Sequence, residues 1–244
     1  MQQPILVIEQ LHKKHPNGTS APLFEQISTN VLPQDRIAIL GPSGQGKSTL
    51  LRVIATLEHS DGGSLSLYGR LISSWGPSEW RKRVCYVPQQ PAMLPTTVGD
   101  NLAVVSKLHK RNFDQPLAKK LMGQVGLDDL DWSQKAADLS GGQKQRVQLV
   151  RSMLLKADIL LLDEVTSALD VESKQAVENT LMKWHEEQGT GLIWVTHEHE
   201  QARRISNRFW YLDNGALSEA AQNDIAESVD SSPVEGDEDY SCLR

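Results

Sequence analysis

Short apolar runs, bounded by glycines and polar residues, recur along the chain and predict β-strands. Leu65 and Leu67 alternate with serines, as expected for a strand with one buried face. The run at residues 159–162 is continuous, which is typical of a strand buried on both faces of a parallel sheet. The other predicted strands lie at residues 5–8, 36–40, 84–87 and 192–196.

The middle of the chain has a helical pattern instead. Leu117, Leu121 and Val125 fall on one face of a predicted helix. A further helix is predicted over residues 173–187, between two predicted strands. Strands that alternate with helices favour a mostly parallel sheet, and we expect a helical subdomain at about residues 91–155 to be inserted into it.

Acidic residues are concentrated at the end of this 244-residue chain. The net charge is −6, but eight of the 31 acidic residues and one of the 25 basic residues lie between Glu219 and Arg244. The remaining 24 basic and 23 acidic residues nearly cancel. A nucleic-acid-binding protein usually has a basic stripe, so we expect no nucleic-acid partner.

The two parts of the chain differ in what they can bury. The chain is 39% hydrophobic, and we expect residues 1–218 to form the folded domain. Residues 219–244 have few large apolar side chains to offset the entropy of ordering, so we expect a disordered tail.

Cys85 and Cys242 lie in no CxxC pair, which favours a reducing cytoplasm. No apolar run reaches the roughly 20 residues of a membrane helix, and residues 1–9 do not resemble a signal peptide.

A glycine-rich segment between a predicted strand and a predicted helix at residues 49–57 matches the pattern GxxxxGK[ST]. Glycines let the backbone turn its N–H groups toward a phosphate chain, and the helix start adds further donors. We expect Lys47 to reach the β- and γ-phosphates and the Ser48 hydroxyl to ligate Mg²⁺. A chain of this length meets the pattern by chance about once in a hundred. The predicted nucleotide-binding residues are Gly41, Pro42, Ser43, Gly44, Gln45, Gly46, Lys47, Ser48 and Thr49.

Two carboxylates, Asp163 and Glu164, follow the apolar run at residues 159–162. Ligands bind at the carboxyl ends of the strands of a parallel sheet. Because successive side chains of a strand diverge, one carboxylate can hold Mg²⁺ while the next faces an attacking water. We therefore assign Asp163 to the metal and Glu164 to the general base. For the pair taken alone, a solvated strand end is the alternative.

Residues 139–146, with the sequence LSGGQKQR, predict a second helix start that could bind an anion. Ser140 and Gln143 have the spacing of a capping box. Gly141 and Gly142 leave backbone N–H groups uncovered, so a phosphate could approach them closely. A plain helix cap is the alternative, but it leaves a second phosphate grip in one chain unexplained.

The order of these segments resembles the ATP-binding cassette family. GPSGQGKS comes first, LSGGQKQR second and LLLLDE third, and the resemblance covers about residues 5–217. It implies a RecA-like α/β P-loop NTPase core with an N-terminal antiparallel β portion and an inserted α-helical subdomain. It also implies ATP hydrolysis, with ATP and Mg²⁺ as cofactors.

The resemblance further implies two kinds of partner. In the family, the signature segment of one subunit closes over the γ-phosphate held by the other, in a homodimer with a C2 axis. A separate polytopic membrane permease uses the energy, and the cassette sits on the cytoplasmic face of the membrane. The signature residues of this chain are Leu139, Ser140, Gly141, Gly142 and Gln143.

Other roles follow from the resemblance alone. Gln89 matches the Q-loop glutamine that touches Mg²⁺ and senses the permease, with Gln90 as the alternative. His197 matches the switch histidine that contacts the γ-phosphate, with a metal pair formed with His199 as the alternative. His15 stands where an aromatic residue usually stacks on adenine, or is a plain turn residue. The D-loop, which crosses the dimer interface, is Ser167, Ala168, Leu169 and Asp170.

Two positions depart from the family pattern. The usual aromatic residue is a histidine at position 15, and Val165 replaces the proline that usually follows the catalytic glutamate. Residues 163–170 and 193–197 resemble the branch of iron exporters and metal-resistance transporters, with a transporter of some other small solute as the alternative. A DNA-repair cassette would have a coiled-coil insertion or zinc cysteines, which this sequence lacks. A membrane-tethered regulator that signals rather than transports is the remaining alternative.

Overall fold

The computed structural model describes residues 2–15 and 22–221. Ten strands and seven α-helices lie in that part of the chain. The strands are β1 (Leu6–Lys14), β2 (Pro22–Val31), β3 (Arg36–Leu40), β4 (Gly62–Leu67), β5 (Arg70–Leu71), β6 (Val84–Val87), β7 (Ile159–Asp163), β8 (Gly191–Val195), β9 (Arg208–Asp213) and β10 (Ala216–Ala221). The helices are α1 (Lys47–Ile54), α2 (Pro77–Arg83), α3 (Val98–Leu108), α4 (Gln115–Gln124), α5 (Gly141–Met153), α6 (Val171–Gln188) and α7 (His199–Ile205).

A six-stranded sheet with the order β10-β9-β3-β8-β7-β6 forms the centre of the fold. The strands from β9 to β6 run parallel, and β10 pairs antiparallel with β9 at one edge. Every residue of β7 and β8 is buried, which explains their apolar sequences. Parallel strands end at the same edge of a sheet, so the residues that follow β3, β6, β7 and β8 are brought together there.

A smaller antiparallel sheet with the order β2-β1-β4-β5 covers one face of the central sheet. One apolar cluster contains Leu6 and Phe24 of the small sheet, Leu50 of α1, and Ile193 and Trp210 of the central sheet. The phosphate-loop helix α1 therefore shares a core with both sheets, which fixes its position relative to the strand ends.

The helical block packs on the other face of the central sheet. Residues 91–155, all of which the structure describes, contain α3, α4 and α5 and no β-strand. Leu102 and Val150 of these helices share an apolar cluster with Leu162 of β7 and Trp194 of β8. The architecture is the α/β fold that we expected, with an N-terminal antiparallel portion and a helical block.

The first helix differs from its predicted bounds. It begins at Lys47 rather than at residue 49, and it ends at Ile54 rather than at residue 57. Thr56 takes a positive φ of 58°, which stops the helix. Leu57, which the apolar pattern placed in the helix, has 52% of its surface exposed.

The folded part of the chain continues three residues beyond the expected boundary at residue 218, because β10 runs to Ala221. Glu219 is held in this strand by hydrogen bonds from Thr29 and from Arg208 Nη2, the latter at 2.7 Å. Residues 222–244, where most of the predicted tail falls, lie outside the described residues. In the described ranges, no helix combines the length and the apolar character needed to span a bilayer.

Candidate active site

The phosphate loop predicted from the glycine pattern connects β3 to α1. Gly41 has a φ of 136°, and a Cβ atom there would clash with the backbone carbonyl of Leu212. Gly44 has a φ of 81° with open space around it, so a ligand can reach its backbone. Gly46 is the N-cap of α1 and supplies no side-chain cap, so the first N–H groups of the helix are available to an anion.

Lys47 folds back over this loop and is only 5% exposed. Its Nζ donates hydrogen bonds to the carbonyl oxygens of Gly41 and Pro42, each at 2.7 Å. Burial lowers the pKa of Lys47, and the nearby carboxylates of Glu164 and Asp163 act in the opposite direction. The ammonium group therefore lies between the phosphate loop and the two acidic side chains.

These groups line a cavity of about 360 Å³, which is within the size range of small-molecule sites. Ser43, Gly44 and Lys47 form its phosphate-loop wall. Glu164 and His197 form another wall. His15, which follows β1, and Leu23 of β2 form the wall on the side of the small sheet. The sequence pattern indicated His15 at this site but not Leu23.

Ser48 and Asp163 meet at the end of β7. The Ser48 Oγ donates a hydrogen bond to Asp163 Oδ1 at 2.8 Å, and the Tyr86 hydroxyl donates to Oδ2 at 2.7 Å. Hydroxyl and carboxylate oxygens are ligands that Mg²⁺ prefers, so the Ser48–Asp163 pair fits the predicted metal. Burial raises the pKa of Tyr86 and the Asp163 carboxylate raises it further, so the phenol keeps its proton.

Glu164 has a different set of partners from Asp163. It follows β7 with a positive φ of 48°, and its backbone N–H donates to the carbonyl of Val195 at 3.2 Å. Gln89 Nε2 donates to Glu164 Oε2 at 2.7 Å, and His197 Nε2 lies 2.5 Å from Oε1. The structure thus places Gln89 and His197, two residues singled out by the family resemblance, on the two oxygens of the Glu164 carboxylate.

Gln89 is grouped with this carboxylate rather than with the Ser48–Asp163 pair. Besides Glu164, its Nε2 reaches the Oγ of Ser167 in the predicted D-loop at 3.5 Å. Its predicted contact with Mg²⁺ stays a prediction, whereas its place beside the candidate base is a feature of the structure.

The signature segment lies at the N-terminus of α5. The Ser140 Oγ accepts from the Gln143 backbone N–H at 3.2 Å, and Gln143 Oε1 accepts from the Ser140 N–H at 2.9 Å, which is the predicted capping box. Gly141 has open space where a side chain would be, and Gly142 packs against Leu169 of the D-loop. In the described part of the chain, none of these residues lines the 360 Å³ cavity.

A buried polar network, which the sequence pattern did not indicate, lies behind His197. Thr196 Oγ1 donates to Gln201 Oε1 at 2.5 Å, and Gln201 Nε2 donates to Thr166 Oγ1 at 2.9 Å and to Glu178 Oε1 at 2.8 Å. Each of these four residues is at most 4% exposed. The network connects the residue before His197 to the segment after Glu164, and so helps to position both side chains.

A phosphate loop after β3, a buried lysine and an acidic pair at the end of β7 define a P-loop nucleoside triphosphatase. The family model described as "ABC transporter" matches residues 24–167. The chain belongs to this family, and its activity is ATP hydrolysis.

Relatives with known names agree with this assignment. A protein of Bacillus subtilis (strain 168) named as an ABC transporter ATP-binding protein, YjkB, is 36% identical over 208 residues, which cover 85% of this chain and 82% of the relative. A protein of Escherichia coli (strain K12) named as an iron export ATP-binding protein, FetA, is 37% identical over 163 residues, covering 67% and 72%.

A solved structure also matches. The dimer of the ATP-binding cassette MJ0796 in a post-hydrolysis state, bound to ADP and Pi, superposes with a TM-score of 0.80 and 25% identity. The match covers 89% of this chain and 98% of that one. The expected fold class is therefore confirmed.

Proposed function

We propose that this chain hydrolyses MgATP as a homodimer and thereby drives a separate membrane permease. The observation that carries the proposal is the Glu164 carboxylate, which Gln89 and His197 hold at the wall of the cavity that Lys47 also lines. A general base, a cation and a phosphate loop around one cavity are the parts that hydrolysis of a triphosphate requires.

The phosphate loop and Lys47 bind and orient the triphosphate. Backbone N–H groups of the loop and of the α1 start donate to phosphate oxygens. Lys47 Nζ exchanges its hydrogen bonds with the Gly41 and Pro42 carbonyls for bonds with the β- and γ-phosphates. Ser48 and Asp163 would hold Mg²⁺, which neutralises phosphate charge when bound.

Glu164 acts as the general base. Its carboxylate accepts a proton from the water that attacks the γ-phosphorus in line with the leaving oxygen. His197 and Gln89 each bond one carboxylate oxygen, so they hold the base in place for that transfer. Asp163 has separate partners, and its charge serves the metal.

The signature segment supports the homodimer. Its open glycine at the start of α5 is suited to a phosphate, yet the segment does not line the cavity of its own chain. A C2 pair in which each α5 start closes over the partner's γ-phosphate uses both phosphate-binding sites. The MJ0796 cassette, with which this chain shares its fold, is a dimer bound to ADP and Pi, and it supports a dimer here.

Transport of metal ions through a membrane permease is the biological role that we propose. The support is the similarity to FetA, which is named for iron export, together with the family membership. The permease would bind this chain at the cytoplasmic face of the membrane.

The test is purification of this chain from membranes with the polytopic protein that it binds, followed by reconstitution in vesicles. We expect ATP-dependent movement of Fe²⁺ across the vesicle membrane, and none with the Glu164→Gln complex. A complex that hydrolyses ATP but moves no metal ions would contradict the proposal that metal ions are the transported substrate. A complex whose ATP hydrolysis moves none of a panel of solutes would favour the regulatory alternative.

A further inference from the structure

Both carboxylate oxygens of Asp163 are occupied by hydroxyl donors. Ser48 donates to Oδ1 at 2.8 Å, and Tyr86 of β6 donates to Oδ2 at 2.7 Å. Asp163 is only 4% exposed, so water has little access to replace either donor. Tyr86 is 77 residues from Asp163 in the chain, and the two meet because β6 and β7 are neighbours in the sheet.

The Tyr86 hydroxyl also interacts with a cation. The Arg52 guanidinium interacts with the phenol and also bonds Thr49 Oγ1 at 2.9 Å and Glu58 Oε2 at 3.1 Å. A guanidinium group has donors and no acceptor, so it repels the phenol proton. The proton therefore points toward Asp163, and Tyr86 acts as a donor of fixed direction.

We propose that Tyr86 is a positioning residue for the magnesium site, and that its hydroxyl orients the Asp163 carboxylate toward the metal. The inference rests on the proposed role of Ser48 and Asp163 in holding Mg²⁺. Ser48 and Tyr86 bond different oxygens, so Oδ1 faces the phosphate loop while Oδ2 is held on the opposite side.

Loss of the hydroxyl frees the carboxylate to rotate, since the terminal torsion of an aspartate is soft. It also leaves a buried acceptor without its donor, which weakens the preference for one orientation. Outer-shell partners of metal ligands typically change metal affinity by about 10–100-fold. We therefore expect Tyr86→Phe to weaken metal binding by about tenfold.

The experiment measures metal binding directly. Mn²⁺ replaces Mg²⁺, and free Mn²⁺ is followed by electron paramagnetic resonance in the presence of the protein and a non-hydrolysable ATP analogue. The Tyr86→Phe protein is compared with Tyr68→Phe, which also removes a tyrosine hydroxyl that interacts with an aspartate, here Asp158. Binding of the analogue in EDTA and the melting temperature are measured for each protein.

We expect the Tyr86→Phe protein to bind Mn²⁺ about tenfold more weakly, with binding of the analogue in EDTA unchanged. The Tyr68→Phe protein should bind Mn²⁺ like the unmodified chain. Equal Mn²⁺ affinity in the Tyr86→Phe and unmodified proteins would overturn the inference, as would an equal loss in both tyrosine variants.

Ser48→Ala separates this inference from the proposed function. If Ser48→Ala weakens Mn²⁺ binding and Tyr86→Phe does not, the metal site stands and only the role of Tyr86 is wrong. If Ser48→Ala has no effect either, the proposed metal site fails as well. Should Tyr86→Phe not fold, Tyr86→Leu removes the same hydroxyl donor, and an Mn²⁺ affinity equal to that of the unmodified protein would overturn the inference.

Discussion

The N-termini of helices α1 and α5 are both suited to binding a phosphate, but their N-cap residues differ. The N-cap of α1 is Gly46, which offers no side chain, and the first turn opens into the 360 Å³ cavity beside Lys47. The N-cap of α5 is Ser140, whose side chain and that of Gln143 already satisfy two backbone N–H groups.

Because of this difference, the α1 start can form a complete nucleotide site, whereas the α5 start can only contribute contacts to one. The α1 start has a lysine, two carboxylates and a cavity around it, so it can hold a triphosphate within one chain. The α5 start has a capping box and exposes Gly141, so it can add contacts to a phosphate that is already bound. Among the described residues, the signature segment does not line the 360 Å³ cavity. Dimerisation should therefore depend on nucleotide bound at α1.

Replacing the proposed general base, Glu164, is expected to have the largest effect. Glu164→Gln keeps the shape of the side chain but removes its ability to take a proton, so we expect turnover to fall by about 10²–10⁴-fold. ATP binding at the α1 start should survive, and the ATP-bound dimer should accumulate because hydrolysis no longer separates it. Turnover, ATP affinity and sizing in ATP measure the three effects, with Glu187→Gln as a surface control. Near-normal turnover would place the base elsewhere, with His197 as the first candidate.

Removing the cation should break the α1 site itself. Lys47→Ala deletes a charged donor to the phosphates, and hydrogen bonds to charged groups contribute about 1.5–3 kcal/mol, so ATP affinity should fall by roughly 10–100-fold. The ATP-induced dimer should be lost with it. Equilibrium binding checks the first effect and sizing the second, with the surface variant Lys120→Ala as control. A Lys47→Ala protein that still dimerises in ATP would contradict our expectation that dimerisation through the α5 start depends on nucleotide bound at the α1 start.

Removing the N-cap side chain of α5 should affect the dimer and not ATP binding to the monomer. We expect Ser140→Ala to leave ATP binding to the monomer unchanged and to weaken the ATP-bound dimer by about tenfold, since one hydrogen bond is lost at each of the two nucleotide sites of the dimer. Thr97→Ala is the matched control, because Thr97 caps α3 in the same way by accepting from the Asp100 N–H. Each change should also cost about 1 kcal/mol of stability. Equal effects on the dimer would mean that Ser140 acts only as a cap.

The sequence predicts those elements whose signal is local. β7 and β8 are buried on both faces, so each appears as one apolar run. The sequence does not predict β2, because register shifts against β1 break the alternation of its buried and exposed residues. Helices α2 and α7 have only seven residues each, too few to show a helical period.

The same distinction applies to the site. Lys47 and Glu164 belong to contiguous motifs whose spacing predicts their chemistry, and the structure places both at one cavity. Tyr86 and Gln201 acquire their roles only from neighbours brought close by the fold, and neither lies in a motif. Side chains that hold catalytic groups in place are therefore the part of this site that the sequence pattern alone does not predict.

The smallest expected effect concerns the far wall of the α1 cavity, where His15 and Leu23 lie. We expect His15 to stack on adenine, with less contact area than the larger ring of a tyrosine would provide. Aromatic contacts gain about 0.5–1.5 kcal/mol beyond buried area, so His15→Tyr should tighten ATP binding by about threefold, and His15→Ala should weaken it similarly. Inorganic triphosphate, which has no adenine, should bind equally to the unmodified protein and to both His15 variants, because Lys47 and the phosphate loop are unchanged. Fluorescence titration with ATP and with inorganic triphosphate separates the base from the phosphates. If neither substitution changes the Kd for ATP, His15 is a turn residue and the adenine lies elsewhere in the cavity.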